Sequence, residues 1–134
     1  MLQVPYERRA SPLFGAIRRP IAPVALYSSA WQRWLIYAMI LDTGADYSVL
    51  PASVARDLGI SLAAGERHQV AGVGGQQRVW LHRAVRMRVG AWEFHAPVGF
   101  LEHDAVPPLF GRYHALDRFD LRFCDCVTTF LARP

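Results

Sequence analysis

Hydrophobic residues along this chain fall mostly in short runs separated by glycine, proline and serine, the pattern of strands joined by tight turns. Val24–Tyr27 and Trp34–Leu41 read as two strands parted by a polar Ser28–Ser29 turn. The second run is apolar almost without interruption, which predicts burial on both faces. After Pro51 the spacing changes. Val54, Leu58 and Ile60, with Gly59 just behind Leu58, predict one or two turns of helix ended by a glycine. Strands return from Gln69 onward. Val79, Leu81, Val85, Met87 and Val89 mostly alternate with polar or arginine residues, a half-buried antiparallel pattern. Gly90–Ala91 predicts a tight turn into Trp92–Phe94, and Pro97–Leu101 a further apolar strand. Tyr113–Phe119 reads as a short helix, and Leu121–Phe123 with Val127–Leu131 as the closing strands. The whole predicts a mainly β, closed structure with one or two short helices.

Composition narrows the class. At 134 residues the chain is expected to be one domain, residues 21–134, preceded by an ordered N-terminal extension, residues 1–20. That extension is basic and carries Pro5, Pro12, Gly15 and Pro20, which favour turns and extended backbone. A hydrophobic content of 52% against 19% charged residues argues against disorder. The longest strand-like apolar run, residues 34–41, is far short of the roughly 20 residues that cross a bilayer, so no membrane partner is expected. The N-terminus has no long apolar stretch, which makes the cytoplasm the default location.

Charge and ligand-type residues add mainly exclusions. The formal net charge is +4 and every one of the basic residues is arginine. Arg8–Arg9, Arg18–Arg19 and the alternating Arg86/Arg88 are the only local concentrations, with no continuous basic face to suggest nucleic acid. Cys124 and Cys126 sit two apart in a strand-like run and read as reduced thiols on one face, since such neighbours do not easily bridge and form at most half a zinc site. The histidines show no ligand spacing, so neither a metal nor a cofactor is expected.

One position stands out chemically. The apolar run ends abruptly at Asp42–Thr43–Gly44, setting a carboxylate at the mouth of a tight turn. Ending a buried strand on an acid is costly unless the acid is hydrogen-bonded, paired or in contact with water, and proton chemistry is the obvious use for such a group. The flanks make the pattern more specific. Ala38–Pro51, read as Ala-Met-Ile-Leu-Asp-Thr-Gly-Ala-Asp-Tyr-Ser-Val-Leu-Pro, resembles the catalytic loop of retropepsin-like aspartic proteases. Ala71–Gly72–Val73–Gly74–Gly75 resembles that family's glycine-rich flap. Pro108–Leu109–Phe110–Gly111–Arg112, followed by Leu116, resembles its apolar-apolar-Gly-Arg segment leading into a short C-terminal helix. The blocks occur in the family's order and cover roughly residues 21 to 131. Ser11–Gly15 through Arg19–Pro20 is similar to the lead-in of some bacterial, free-standing members.

The resemblance implies a closed acid-protease barrel with a flap hairpin, and an endopeptidase that acts on peptide or protein as a homodimer. Two carboxylates sharing one proton provide the base that takes a proton from water and the acid that polarises the scissile carbonyl. This chain holds a single such loop. The other Asp-x-Gly, Asp57–Leu58–Gly59, reads as the end of a helix, so the second carboxylate would be Asp42 of another copy on a two-fold axis.

Further roles follow from the resemblance. Thr43 would hold the two loops together, or be an ordinary turn threonine. Gly44 permits backbone that a Cβ would obstruct. Ala45 and Asp46 would face bound peptide, and Ala45, lacking the hydroxyl of a serine or threonine, would favour activity at less acidic pH. Asp46 and Arg112 would brace the loop, or stand as separate solvated charges. Gly72, Val73, Gly74 and Gly75 would lie over substrate, or form only a hairpin turn. Two alternatives keep the fold without the chemistry: a silent relative that binds extended peptides, and a structural or assembly β domain.

Overall fold

Alternation of apolar and polar side chains builds most of the chain into strands, and glycines with positive φ turn it where the strands end. The computed structural model describes residues 1–72 and 75–133. In chain order the strands are β1 Leu2–Pro5, β2 Glu7–Ser11, β3 Gly15–Arg19, β4 Ile21–Ser28, β5 Arg33–Leu41, β6 Ser48–Leu50, β7 Glu66–Gly72, β8 Gly75–Val89, β9 Trp92–Leu101, β10 Leu109–Phe110, β11 Phe119–Cys124 and β12 Val127–Ala132. Among the described residues one α-helix, α1 Ala52–Leu58, follows β6, and 3-10 turns occupy Leu62–Ala64 and Leu116–Arg118.

Seven strands form the main sheet in the order β4-β5-β10-β6-β9-β8-β7. A second pairing, Ala25 opposite Arg88 and Leu26 opposite Met87, joins β4 to β8, so the strand order returns on itself. The inner side chains of that ring make the core: Leu26, Met39, Leu50, Met87, Val98, Phe100 and Phe110 are fully buried. Each large apolar side chain removed from water contributes about 2 kcal/mol. A second sheet, β1-β12-β11, adds Phe130 and Phe119 to the same cluster, and Phe119 meets Trp92, Phe94 and Phe130 edge-on. Among the described residues β2 and β3 pair only with each other.

Helix α1 is too short to persist alone. It is held by burying Val54, Ala55 and Leu58 and ends on Gly59, whose φ of 74° is readily reached only without a Cβ. At its other end Pro51 offers no capping side chain, and the Asp104 carboxylate accepts the Ser53 N–H at 2.8 Å instead.

Several expectations are corrected. β5 is not buried on both faces: Met39 and Leu41 point into the core, whereas Ile36 is 72% exposed. Its outer face is partly covered at Trp34, where the Arg86 and Arg88 guanidiniums lie over the ring, and at the half-buried Ile40. Trp92–Phe94 and Pro97–Leu101 are one strand, β9. Pro97 is accommodated because β8 bulges opposite it, between His82 and Val85, so its missing N–H breaks no ladder. The segment 113–119 holds only the 3-10 turn Leu116–Arg118, since His114 takes a left-handed φ of 54° and interrupts any longer helix. Cys124 and Cys126 do not share a strand face. Asp125 and Cys126, with φ of 53° and 58°, form the two-residue turn between β11 and β12, and both thiols are free and exposed.

Candidate active site

The strand that ends at Asp42 does so because β10 takes over its neighbourhood. β10 lies parallel to the end of β5, with Phe110 opposite Leu41, and the Phe110 carbonyl accepts the Asp42 N–H at 3.0 Å. The Ala45 N–H then bonds back to the Asp42 carbonyl at 3.2 Å and closes the turn. Within it, Asp42 Oδ1 accepts the Gly44 N–H at 2.9 Å. Asp42 is half-buried, and its other carboxylate oxygen accepts no hydrogen bond from the described residues. A Cβ on Gly44 would sit 3.2 Å from Asp42 Oδ1, so the glycine lets the turn tuck under the acid. Thr43 stands exposed beside it.

The remainder of the loop is stitched to residues 110–113. Arg112 N–H donates to the Ala45 carbonyl at 3.0 Å and Tyr113 N–H to the Asp46 carbonyl at 2.8 Å. The Arg112 guanidinium bonds Asp46 Oδ1 at 2.6 Å, so the two charges expected as a brace are in contact. Gly111 makes this stitching possible. Its N–H donates to the buried Ser48 hydroxyl at 3.0 Å, and a Cβ there would overlap the Tyr47 carbonyl and the Ser48 nitrogen. Ser48 carried no sequence signal of this role, because a serine entering a strand reads as an ordinary polar position.

Beside this brace lies a cavity of about 430 Å³, lined mostly by carbon and shaped by Tyr47, Leu81, Arg83, Pro97, Tyr113 and Asp117 together with the Asp46–Arg112 pair. Burial, and then the neighbouring Asp46 carboxylate, hold the Tyr47 phenol proton more tightly than usual. Asp42 does not line the cavity, although its loop neighbours Asp46 and Tyr47 do. These lining residues come from four separated stretches, and sequence reasoning took Leu81 and Pro97 only as strand positions.

The hairpin β7–β8 rises from the same end, with Gly72 opposite Gly75. Val73 and Gly74, expected between them, lie outside the described residues. At the hairpin's base Arg83 grips Glu66 with both Nε and a terminal nitrogen, and this holds the Glu66 carboxyl below its usual range. Thus the structure brings Asp42, Gly44, Ala45, Asp46 and Arg112 into one hydrogen-bonded unit. Thr43 joins them by sequence alone.

A closed mainly β ring, with an Asp-Thr-Gly turn set between two of its strands and tied to a following Gly-Arg, defines an acid-protease type of domain. The family model described as aspartyl protease matches residues 36–112, more than half of the chain, and the chain belongs to that family. Among solved structures it is similar to the crystal structure of a retropepsin-like aspartic protease from Rickettsia conorii. The TM-score is 0.68 over 98% of this chain and 99% of that one, at 17% identity, a likeness of fold. No curated protein matches the sequence.

Proposed function

We propose that this protein is a cofactor-free aspartic endopeptidase whose site is completed by a second copy of itself. The observation that carries the reading is the state of Asp42. Its loop is held on every side by hydrogen bonds, yet its carboxylate keeps one oxygen unengaged at the molecular surface. A rigid support around an underused acid is the arrangement that proton transfer to a bound water requires. One carboxylate cannot serve as base and acid toward the same water and amide, and the chain supplies one such loop, so the partner acid is Asp42 of the second protomer. Like charges brought together in this way share a single proton, the ionised member activating water and the protonated one donating to the scissile carbonyl. Attack by that water forms the tetrahedral intermediate directly, without an acyl-enzyme.

Gly72 and Gly75 then edge a flap over an extended peptide. Asp46 and Ala45 meet the peptide backbone from below, and the cavity beside Tyr47 takes one of its side chains. The test is digestion of an unfolded protein mixture by the wild type and by Asp42→Asn, with sedimentation of both. Cleavage by a dimer that is lost in the variant supports the reading. Cleavage that persists in Asp42→Asn, or a strictly monomeric active enzyme, overturns it. A folded protein without activity returns the domain to peptide binding or assembly.

A further inference from the structure

Residues 7–19 form a hairpin that its own chain leaves almost bare. Among the described residues β2 and β3 are bonded to each other and to no other strand, and seven of their ten residues are exposed and none is buried. At the tip Leu13 is 84% and Phe14 73% exposed, with Ile17 open to water below them. A two-stranded hairpin of this length is marginal in water by itself. Here Arg8 also stands directly opposite Arg18, a like-charge pair that weakens it further. Of the four arginines on the arm, only Arg9 has a carboxylate partner among the described residues, Glu7. Apolar residues at the tip and unpaired guanidiniums along the stem suit a covering surface that offers both carbon and carboxylates.

The root of the arm says what that surface is. β4 runs antiparallel to β5 with Ile21 opposite Ile40, and the Pro20 carbonyl accepts the Leu41 N–H at 2.9 Å. Only Pro20 separates β3 from β4, so the chain before Ile21 overhangs the end of β5 at which Asp42 stands. Five residues of strand span roughly 17 Å. The base of the arm stays against its own chain, where Arg9 and Arg19 line a cavity with Ala38, Ile40, Pro107 and Pro108. In a dimer whose two-fold axis passes between the Asp42 residues, an arm of this length rooted near that axis has the other protomer within reach of its tip.

We infer that the β2–β3 hairpin is a clasp that packs on a second copy of this chain, each protomer embracing the other; this rests on the dimeric reading of the site. Two-fold symmetry makes every clasp contact occur twice, so small changes at the tip act doubly on assembly. An arm meant for a lipid surface or for nucleic acid would have no need to start beside Asp42.

Two measurements on the full chain test the clasp. A photoreactive benzophenone amino acid placed at position 14 is expected to yield a covalent dimer on irradiation. The double variant Leu13→Glu, Phe14→Glu is expected to keep the wild-type circular dichroism and weaken dimerisation by about tenfold or more in sedimentation. A wild-type dimer indifferent to the double variant, or crosslinks confined within one chain, overturns the clasp and leaves the proposed enzyme standing. Tip-dependent binding to phosphatidylglycerol vesicles or to a single-stranded RNA, with dimerisation unchanged, overturns it in favour of that surface. A wild type monomeric at all concentrations removes the dimeric site and the clasp together.

Discussion

The two ends of β5 solve the same problem in opposite ways. At its start the turn from β4 is closed against α1. The Ser28 hydroxyl donates to the Asp57 carbonyl at 2.6 Å and accepts the Trp31 N–H at 3.1 Å, while Ser29 bonds the Leu58 carbonyl through its N–H and its hydroxyl. Gly59 is packed so tightly beneath that a Cβ would touch Ser29 and Ala30 at 2.9–3.0 Å. Ser28 is wholly buried and both its hydrogen-bonding roles are used. At the other end the backbone is held just as firmly, but the side chain it presents, Asp42, is left underused. Full satisfaction serves stability, and an incompletely satisfied acid on an equally firm base is a resource for chemistry.

That contrast can be broken in stages. The largest effect is expected at the open end. Asp42→Asn is predicted to lower peptide cleavage by about 10³-fold or more, since it removes the acid–base group, while Tm stays close to wild type. Next comes the base beneath it. Gly111→Ala forces a Cβ against the Tyr47 carbonyl and is expected to cost about 3 kcal/mol in urea unfolding, with cleavage falling in parallel. At the closed end, Ser28→Ala orphans the Trp31 N–H and the Asp57 carbonyl. It is expected to cost about 2 kcal/mol by the same measurement, with cleavage at low temperature unchanged.

Arg112→Ala sharpens the comparison, because it removes a brace whose ion pair is largely exposed. Stability is expected to change by about 1 kcal/mol at most, whereas cleavage falls about tenfold or more as Asp46 and its loop shift. The smallest effect concerns Asp104, away from either end. Its carboxyl is held below the ordinary Asp value first by the Ser53 N–H and further by Arg56. A value lowered by folding means stability present above the ordinary carboxylate range and lost as pH falls through the folded value. Asp104→Ala is therefore expected to lower Tm at neutral pH, and the difference between the two thermal-melting curves to shrink as pH falls below the ordinary carboxylate range.

Features that depend on one residue's backbone or on a short motif were legible in the sequence. Gly59 and Gly90 mark the helix end and the β8–β9 turn because a positive φ favours glycine, and both take it. The Asp42 turn and the Gly111–Arg112 segment were legible as well, although the contact of Asp46 with Arg112 bridges 66 positions that no local pattern connects. What escaped depends on neighbours far away in the chain. Ile36 is as apolar as Met39, and only the topology decides that one faces water and the other the core. The Asp125–Cys126 turn was hidden because residues with a Cβ occupy positions where glycine or asparagine usually announces a turn. The cavity beside Tyr47 gathers Leu81, Pro97 and Tyr113 from separate strands and turns, so its shape has no linear signature.

The pairing of β1 with β12, Leu2 opposite Phe130, has a consequence for the order of folding. β1 can find its place only once β12 is available beside it, and Phe130 of β12 also completes the aromatic cluster around Phe119. Contacts this distant in sequence form slowly and only after the intervening chain has been closed into a loop. The ring around Leu26 and Phe100 can therefore assemble from nearer contacts, and the docking of β1 on β12 is expected as a late step that seals one side of the core.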